Sequence, residues 1–469
     1  MITFNVNTLG CKVNQYESQQ IRELLESLGL RESRTDGEKT DLVVVNTCCV
    51  THTASAKSRQ QINKATKRSS DAIVIVCGCL PTVQISELSS LHENIKVVKH
   101  QDDLASALRN AVSSIRDQQS NKLMPQCIQS HPLNLIKPQN AEKIKGKNNL
   151  ISPNQLPPLT RFKGQTRAFL KVQDGCDGCC SYCIIPKTRP ILTSKPLDLA
   201  LNEAKNLVKA GHKEIVITGI HLGAYGRKTV KQKAQNEKLA ELLINIAKIP
   251  NLPRIRISSL EPTEITPKLL RTMREHPNIM PHLHLSLQSG SDRILRRMCR
   301  QYSSTDFTRT VDQIKAALDR PAITTDVIVG FPGESQEDFE QTLKLARKTG
   351  FAKIHVFKFS KRKGTKAADM QNTVNTKIVN ERSKTLRNLD MELGRNFREK
   401  FVGQIVEILV ENNKGLTSGL SRRYFKVVLP DQIDKAITNK VIPVKLTKTT
   451  PNGAIGKILH DDAPRIKRF

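Results

Sequence analysis

No run of apolar residues in this 469-residue chain approaches the length that crosses a bilayer. The opening MITFNVNTLG also lacks the basic start and long apolar core of a secretory signal. These absences predict a cytoplasmic chain with no membrane partner. Acidic residues are scarce, 44 Asp and Glu against 75 Lys and Arg, which leaves a formal charge of +31. With lipid set aside, that excess points to nucleic acid, although lysines scattered over the surface would give the same number. An even cysteine count is missing as well. The eleven cysteines include adjacent and nearly adjacent pairs, which suits thiolate chemistry in a reducing compartment better than a disulfide framework. No G-x-G-x-x-G follows the first strand-like run, so a dinucleotide-binding fold has little support.

What is present centres on Lys171 to Pro190, KVQDGCDGCCSYCIIPKTRP, where Cys176, Cys180 and Cys183 follow the strand-like run Ala168 to Val172 in CxxxCxxC spacing. Three thiolates on one short loop can bind three irons of a [4Fe–4S] cube and leave the fourth iron open to a ligand. If that ligand is S-adenosylmethionine (SAM), an electron from the cluster can cleave it to a 5′-deoxyadenosyl radical. Spacing alone also admits zinc, because Cys176–Cys179 and Cys180–Cys183 are each CxxC, or a structural ferredoxin-like cluster. Zinc knuckles favour small modules, whereas this loop begins a long alternation of strands and helices.

The length predicts about three domains. Residues 1–109 alternate strand and helix as a parallel α/β sheet does: Ile2 to Val6, Gln15 to Leu28, Asp41 to Val45, Ser55 to Lys67, Ala72 to Val76. Cys11, Cys48 and Cys79 follow the three strands and are expected at the sheet's carboxyl edge, where such folds bind ligands. Residues 110–164, rich in Gln, Asn, Ser, Pro and Lys, read as a linker, with Cys127 inside it. Residues 165–394 carry six apolar runs, from Ala168 to Val172 through Lys353 to Phe359, predicting a partial (β/α)6 barrel open to a large substrate. The residues after each run are small or polar, as a cofactor approaching strand ends requires. Residues 395–469 change to short β-runs and predict a small antiparallel β-barrel. From Arg398 onward 14 basic residues face 7 acidic ones, and Arg422, Arg423, Tyr424, Phe425 and Lys426 form a basic and aromatic cluster suited to RNA, with at least one of Tyr424 and Phe425 expected in the core.

DGCDGCCSYCIIP, TLGCKVNQYES, VVNTCCVTHTASAKSRQ, CGCL, TGIHLGAYG, HLHLSLQSGSDRILRRM and TTDVIVGFPGES together resemble the radical-SAM methylthiotransferase family, most of all its MtaB type. The resemblance covers nearly the whole chain outside the linker. It implies two [4Fe–4S] clusters, one on Cys176, Cys180 and Cys183 and an auxiliary one on Cys11, Cys48 and Cys79, with Gly219, Ser259 and Gln288 as contacts for SAM. The terminal barrel resembles a TRAM domain. The implied reaction adds a methylthio group to C2 of N6-threonylcarbamoyladenosine beside the anticodon of a tRNA, with a flavodoxin- or ferredoxin-like electron donor and an unspecified sulfur donor. Departures from the family pattern are Cys179, Pro190 and the cations Lys358, Lys361 and Lys363. Within the family the alternatives are a ribosomal-protein aspartate and isopentenyladenosine tRNA. Outside it, a noncatalytic RNA-binding protein holding zinc or structural iron fits the charge and the cysteines.

Overall fold

The computed structural model describes residues 1–33, 38–68, 71–85, 88, 93–99, 104–123, 156–229, 237–411, 417–430 and 437–459. Cys127 and most of the expected linker lie outside these. The chain divides into two compact units, the first made of Met1–Gly10, Glu17–Cys48 and Ser55–Pro157, the second of Cys11–Tyr16, Cys49–Ala54 and Pro158–Phe469.

The first unit is built on a five-stranded parallel sheet in the order β2-β1-β3-β4-β5, with β1 Thr3–Thr8, β2 Arg31–Glu32, β3 Leu42–Thr47, β4 Ile73–Gly78 and β5 Ile95–Val97. β3 is buried at every position, as a central parallel strand covered on both faces must be. Helices α1 (Lys12–Ser27) and α2 (His52–Arg68) follow β1 and β3, and the short α3 (Leu80–Val83) follows β4. The linker expectation needs correction at its start, because helix α4 runs from Leu104 to Leu123. Leu104, Leu108, Ala111, Val112 and Ile115 recur at helical spacing and pack into this unit's core. The end needs correction too: Leu159 and Phe162 are buried in the core of the second unit.

The second unit contains the six parallel strands expected of a partial barrel. They are β6 (Arg167–Asp174), β8 (Glu214–Gly219), β9 (Arg254–Ile257), β11 (His282–Leu285), β12 (Ala322–Val329) and β13 (Lys353–Lys358), with β7 (Thr193–Ser194) antiparallel at the β6 edge. Continuity is kept across a break at Ser258. β9 pairs with β8, while β10 (Ser259–Leu260), one residue on, pairs with β11. Intervening helices include α5 (Ile185–Thr188), α6 (Leu197–Lys209), α7 (Lys238–Ala247), α8 (Pro267–Glu275), α9 (Asp292–Arg297), α10 (Ser304–Ala317), α11 (Gln336–Thr349) and α12 (Thr376–Glu399). α10 and α11 begin with Ser/Asp capping boxes, Ser303 with Asp306 and Ser335 with Asp338, and α11 stops at the left-handed Gly350.

The terminal barrel is closed, in the order β14-β15-β16-β18-β17: β14 Ile405–Glu411, β15 Ser418–Ser421, β16 Lys426–Val428, β17 Val441–Thr450, β18 Gly453–Ile458. One of its five pairings, β16 with β18, is parallel. The basic and aromatic cluster proves to be mainly a docking surface inside this unit. Tyr424, at φ +65°, stacks on His282 with ring centroids 4.3 Å apart and lies 5.1 Å from the Arg256 guanidinium. Arg423 donates to the Asp319 and Arg320 carbonyls, Arg422 donates to the Pro277 carbonyl, and Phe425 is core. In return Arg254 donates to the Leu420 and Ser421 carbonyls and Arg256 to those of Ser421 and Arg422. Both arginines flank the buried Glu214 at 2.8 Å. Glu214, Arg254 and His282 are the first residues of their strands, so the β15–β16 turn caps the amino-terminal end of the six-stranded barrel.

Candidate active site

The cysteine loop leaves the carboxyl end of β6. Gly175 begins it at φ +76°, and a Cβ there would fall 1.9 Å from the Ile191 carbonyl oxygen, so only glycine fits. Asp174 anchors the turn: its carboxylate accepts from the Gly175 amide at 2.8 Å and pairs with Lys171 and Arg189 at 2.9 Å each. Burial opposes the charge of Asp174, but the two cations hold its carboxyl well below the usual range. The Cys176 amide then bonds the Arg189 carbonyl, which closes the loop.

Cys176, Cys180 and Cys183 share this short loop, all partly buried and none in a disulfide. Donors approach two of the sulfurs: the Gly178 amide lies 3.3 Å from Cys176 Sγ and the Arg300 guanidinium 3.0 Å from Cys180 Sγ. Burial pushes the Cys183 thiol up to about 12, with Cys180 and Cys176 adding to the rise. Cys180 is raised by burial too, while Arg300 pulls it down. Without metal Cys180 and Cys183 are protonated thiols, and binding iron must drive the protons off. Three sulfurs on one loop with N–H donors turned toward them fit an iron–sulfur cube better than an inert apolar cysteine cluster. Cys179 is exposed, with its nearest polar contact at the Cys299 carbonyl, 3.9 Å away.

Residues at neighbouring strand ends tie this loop in place. His221, two residues past β8, has Nδ1 3.6 Å from Cys176 Sγ and Nε2 2.6 Å from Glu264. Burial works against the imidazolium, but the bonds to Cys176 and Glu264 outweigh it and raise His221 to about 11. The His221 amide donates to Gln173 Oε1 at 2.6 Å, and Gln173 Nε2 donates to the Asp174 and Gly175 carbonyls. Glu264 also accepts from the Glu261 amide, and Glu261 pairs with Arg300 at 2.7 Å. One chain of polar contacts thus joins β6, β8, β10 and the residues after α9.

Of the residues expected to contact SAM, Gly219 ends β8, Ser259 is exposed at the start of β10, and Gln288 follows β11. Gln288 is buried at φ +66°, its amide bonded to the Asp326 carbonyl and its own carbonyl to the Ile328 amide. A non-glycine residue held there marks a backbone fixed by its surroundings at a strand end. On their Cβ sides the glycines near the strand ends pack against neighbours: a Cβ on Gly219 would meet Gln173, on Gly290 Thr342 and on Gly330 Val379. Cys48 and Cys79 are buried directly after the adjacent strands β3 and β4, in the first unit. Cys11, exposed just before α1, is counted with the second.

Two family models match the chain: the radical SAM superfamily over residues 170–346, and the uncharacterized protein family UPF0004 over residues 3–99. A threonylcarbamoyladenosine tRNA methylthiotransferase MtaB of Bacillus subtilis is 34% identical over 96% of this chain and 94% of its own length. The MtaB of Chlamydia pneumoniae is 35% identical over 97% and 98%. The chain belongs to the radical-SAM methylthiotransferase family. A tRNA-2-methylthio-N(6)-dimethylallyladenosine synthase of Erythrobacter litoralis is 32% identical over 98% and 97%. Among solved structures, the radical SAM methyltransferase TsrM from Kitasatospora setae superposes with a TM-score of 0.52 at 14% identity, covering 78% of this chain and 74% of that one, which supports the fold alone.

Membership in the radical-SAM methylthiotransferases implies a [4Fe–4S] cluster and SAM, and the cysteine loop fits such a centre. Among the described residues no helix is long and apolar enough to cross a membrane. Sequence reasoning missed His221, Glu264, Gln173 and Arg300. A signal for His221 existed, since it stands at one of the strand ends under scrutiny. Arg300 comes from the turn after α9, where no pattern leads to it.

Proposed function

We propose that this methylthiotransferase adds a methylthio group to C2 of N6-threonylcarbamoyladenosine in tRNA. The observation that carries the reading is near-full-length likeness to four MtaB-named proteins at 32–35% identity, three of them at 34–35%, against 30–32% for the dimethylallyladenosine synthases. In this reading Cys176, Cys180 and Cys183 hold one [4Fe–4S] cluster, and Cys11, Cys48 and Cys79 hold the auxiliary one. Gly219, Ser259 and Gln288 contact SAM. The bound groups supply removal of a hydrogen atom from a carbon too weakly acidic for any general base.

The chain's own residues position and neutralise. Arg300 and the Gly178 amide offset negative charge on the sulfurs, while His221 and Gln173 keep the loop in register with β8. The RNA surface moves from the Arg422–Lys426 cluster, of which only Lys426 is exposed, to the outer face of β17 and β18. There Lys445 stands directly opposite Lys457, with Lys448 also exposed. Like charges paired across a ladder destabilise a sheet unless a polyanion covers them. A flavodoxin- or ferredoxin-like protein in the cytoplasm completes the system as electron donor.

The test is mass spectrometry of nucleosides from bulk tRNA of cells with and without this gene, in a strain that normally contains the methylthiolated nucleoside and has no second enzyme for it. Loss of methylthiolated threonylcarbamoyladenosine with accumulation of its precursor is the expected result. Loss of methylthiolated isopentenyladenosine instead would move the assignment to that branch. An unchanged profile would overturn the tRNA reading and direct the search to ribosomal protein.

A further inference from the structure

Midway along the six-stranded barrel, three side chains that the cysteine site does not use converge from adjacent strands. They are His284 on β11, Asp326 on β12 and His355 on β13, and their ligand atoms all lie within 4.8 Å of one another. His284 Nε2 is 3.3 Å from Asp326 Oδ2, and the two imidazole rings are 5.7 Å apart at 37°. Strand register produces the meeting: Thr324 lies opposite His284, and Asp326, two residues on, lies opposite His355. The alternating residues Leu283, Leu285, Ile323, Ile354 and Val356 pack in the hydrophobic core. The His/Asp/His face therefore points the other way, into the barrel lumen.

Two imidazoles and one carboxylate are a donor set suited to zinc, iron(II) and similar first-row divalent ions. The supporting contact is present as well. His284 Nδ1 lies 3.0 Å from the Thr324 hydroxyl, which fixes the ring with Nε2 toward Asp326, as second-sphere bonds do for metal-ligating histidines. A simple ion pair needs one histidine, and it leaves the second imidazole beside the same carboxylate unexplained. We propose that His284, Asp326 and His355 form a mononuclear divalent metal site in the barrel lumen, with its remaining coordination positions open to an oxygen ligand. This inference stands whether or not the nucleoside assignment does.

The experiment uses the full chain with its iron–sulfur complement, prepared anaerobically, incubated with a small excess of Zn²⁺ and freed of unbound metal by gel filtration. The expected result is one more zinc per chain in the wild type than in Asp326→Asn or His355→Gln, with iron unchanged across all three. Zinc X-ray absorption on the wild type supplies a readout that needs no variant. Nitrogen and oxygen neighbours at about 2.0–2.1 Å, imidazole among them, support the site, and sulfur at about 2.3 Å overturns it by placing the zinc on cysteine. Equal zinc in all three proteins, or none retained by the wild type, also overturns it. Should a variant lose iron or fail to fold, the wild-type spectrum decides.

Discussion

Substituting Glu214 by Gln removes one negative charge from between Arg254 and Arg256, three side chains with at most 2% exposure. Size and one acceptor are kept, but two buried guanidiniums lose their counterion. Burial alone would raise the Glu214 carboxyl; Arg256 and Arg254 override it and bring it from 4.5 to about 2. At about 1.4 kcal/mol for each tenfold change in the ionisation constant, the charge stabilises the fold by about 3 kcal/mol at pH 7. That agrees with the roughly 3–5 kcal/mol seen when a buried pair loses one partner. The thermal midpoint of Glu214→Gln is expected to fall by roughly 3–5 °C at neutral pH. Because the folded-state value lies below the unfolded one, the contribution is complete above about pH 4.5 and vanishes as pH falls through about 2. The stability gap between wild type and variant should therefore shrink to roughly half or less by pH 3. Differential scanning calorimetry across pH 7 to 3 measures both quantities. An unchanged midpoint at pH 7, or a gap that does not narrow with acid, would refute the assignment of this energy to the Glu214 charge.

Three further outcomes can be measured. Gly175→Ala forces a Cβ against the Ile191 carbonyl, and iron content of anaerobically purified protein should fall by about half with far-UV circular dichroism retained. Arg300→Met strips both the Cys180 sulfur and Glu261 of a buried donor, and a loss of about 2–3 kcal/mol in denaturant titration is expected; an unaltered midpoint would show that the guanidinium contributes little. Lys445→Ala with Lys457→Ala should weaken tRNA binding and lower the salt dependence of affinity by about one to two counterions, while iron content stays as in the wild type.

The sheet, the six barrel strands and the places of the cysteines after their strands were legible because short apolar runs and the residues that follow them carry their meaning locally. β15 and β18 were not. SGLS and GAIGKI are short and contain glycine, and they acquire strand geometry from the barrel that closes around them. Helix α4 was hidden by the shift to polar composition after Arg109, although Leu108, Ala111, Val112 and Ile115 keep a helical period. Arg422 to Phe425 misled for a different reason. Arginine and an aromatic are the pieces of an RNA surface and also of a desolvated protein interface, and only His282 and Asp319, more than a hundred residues away, decide between them. The contact of His221 with Glu264 spans 43 residues, and that of Arg300 with Cys180 spans 120. Such pairs exist only after folding.

The turn that carries Tyr424 onto His282 also makes the barrel a vessel with a floor. A channel open at both ends lets a small molecule and a polymer come and go independently. In a well stopped at one end, whatever enters first lies beneath the later arrival, and small products wait for the large one to lift away. With the end farthest from the cysteine loop covered by the β15–β16 turn, the carboxyl end and the open side of the partial barrel are the approaches left to the cysteine loop.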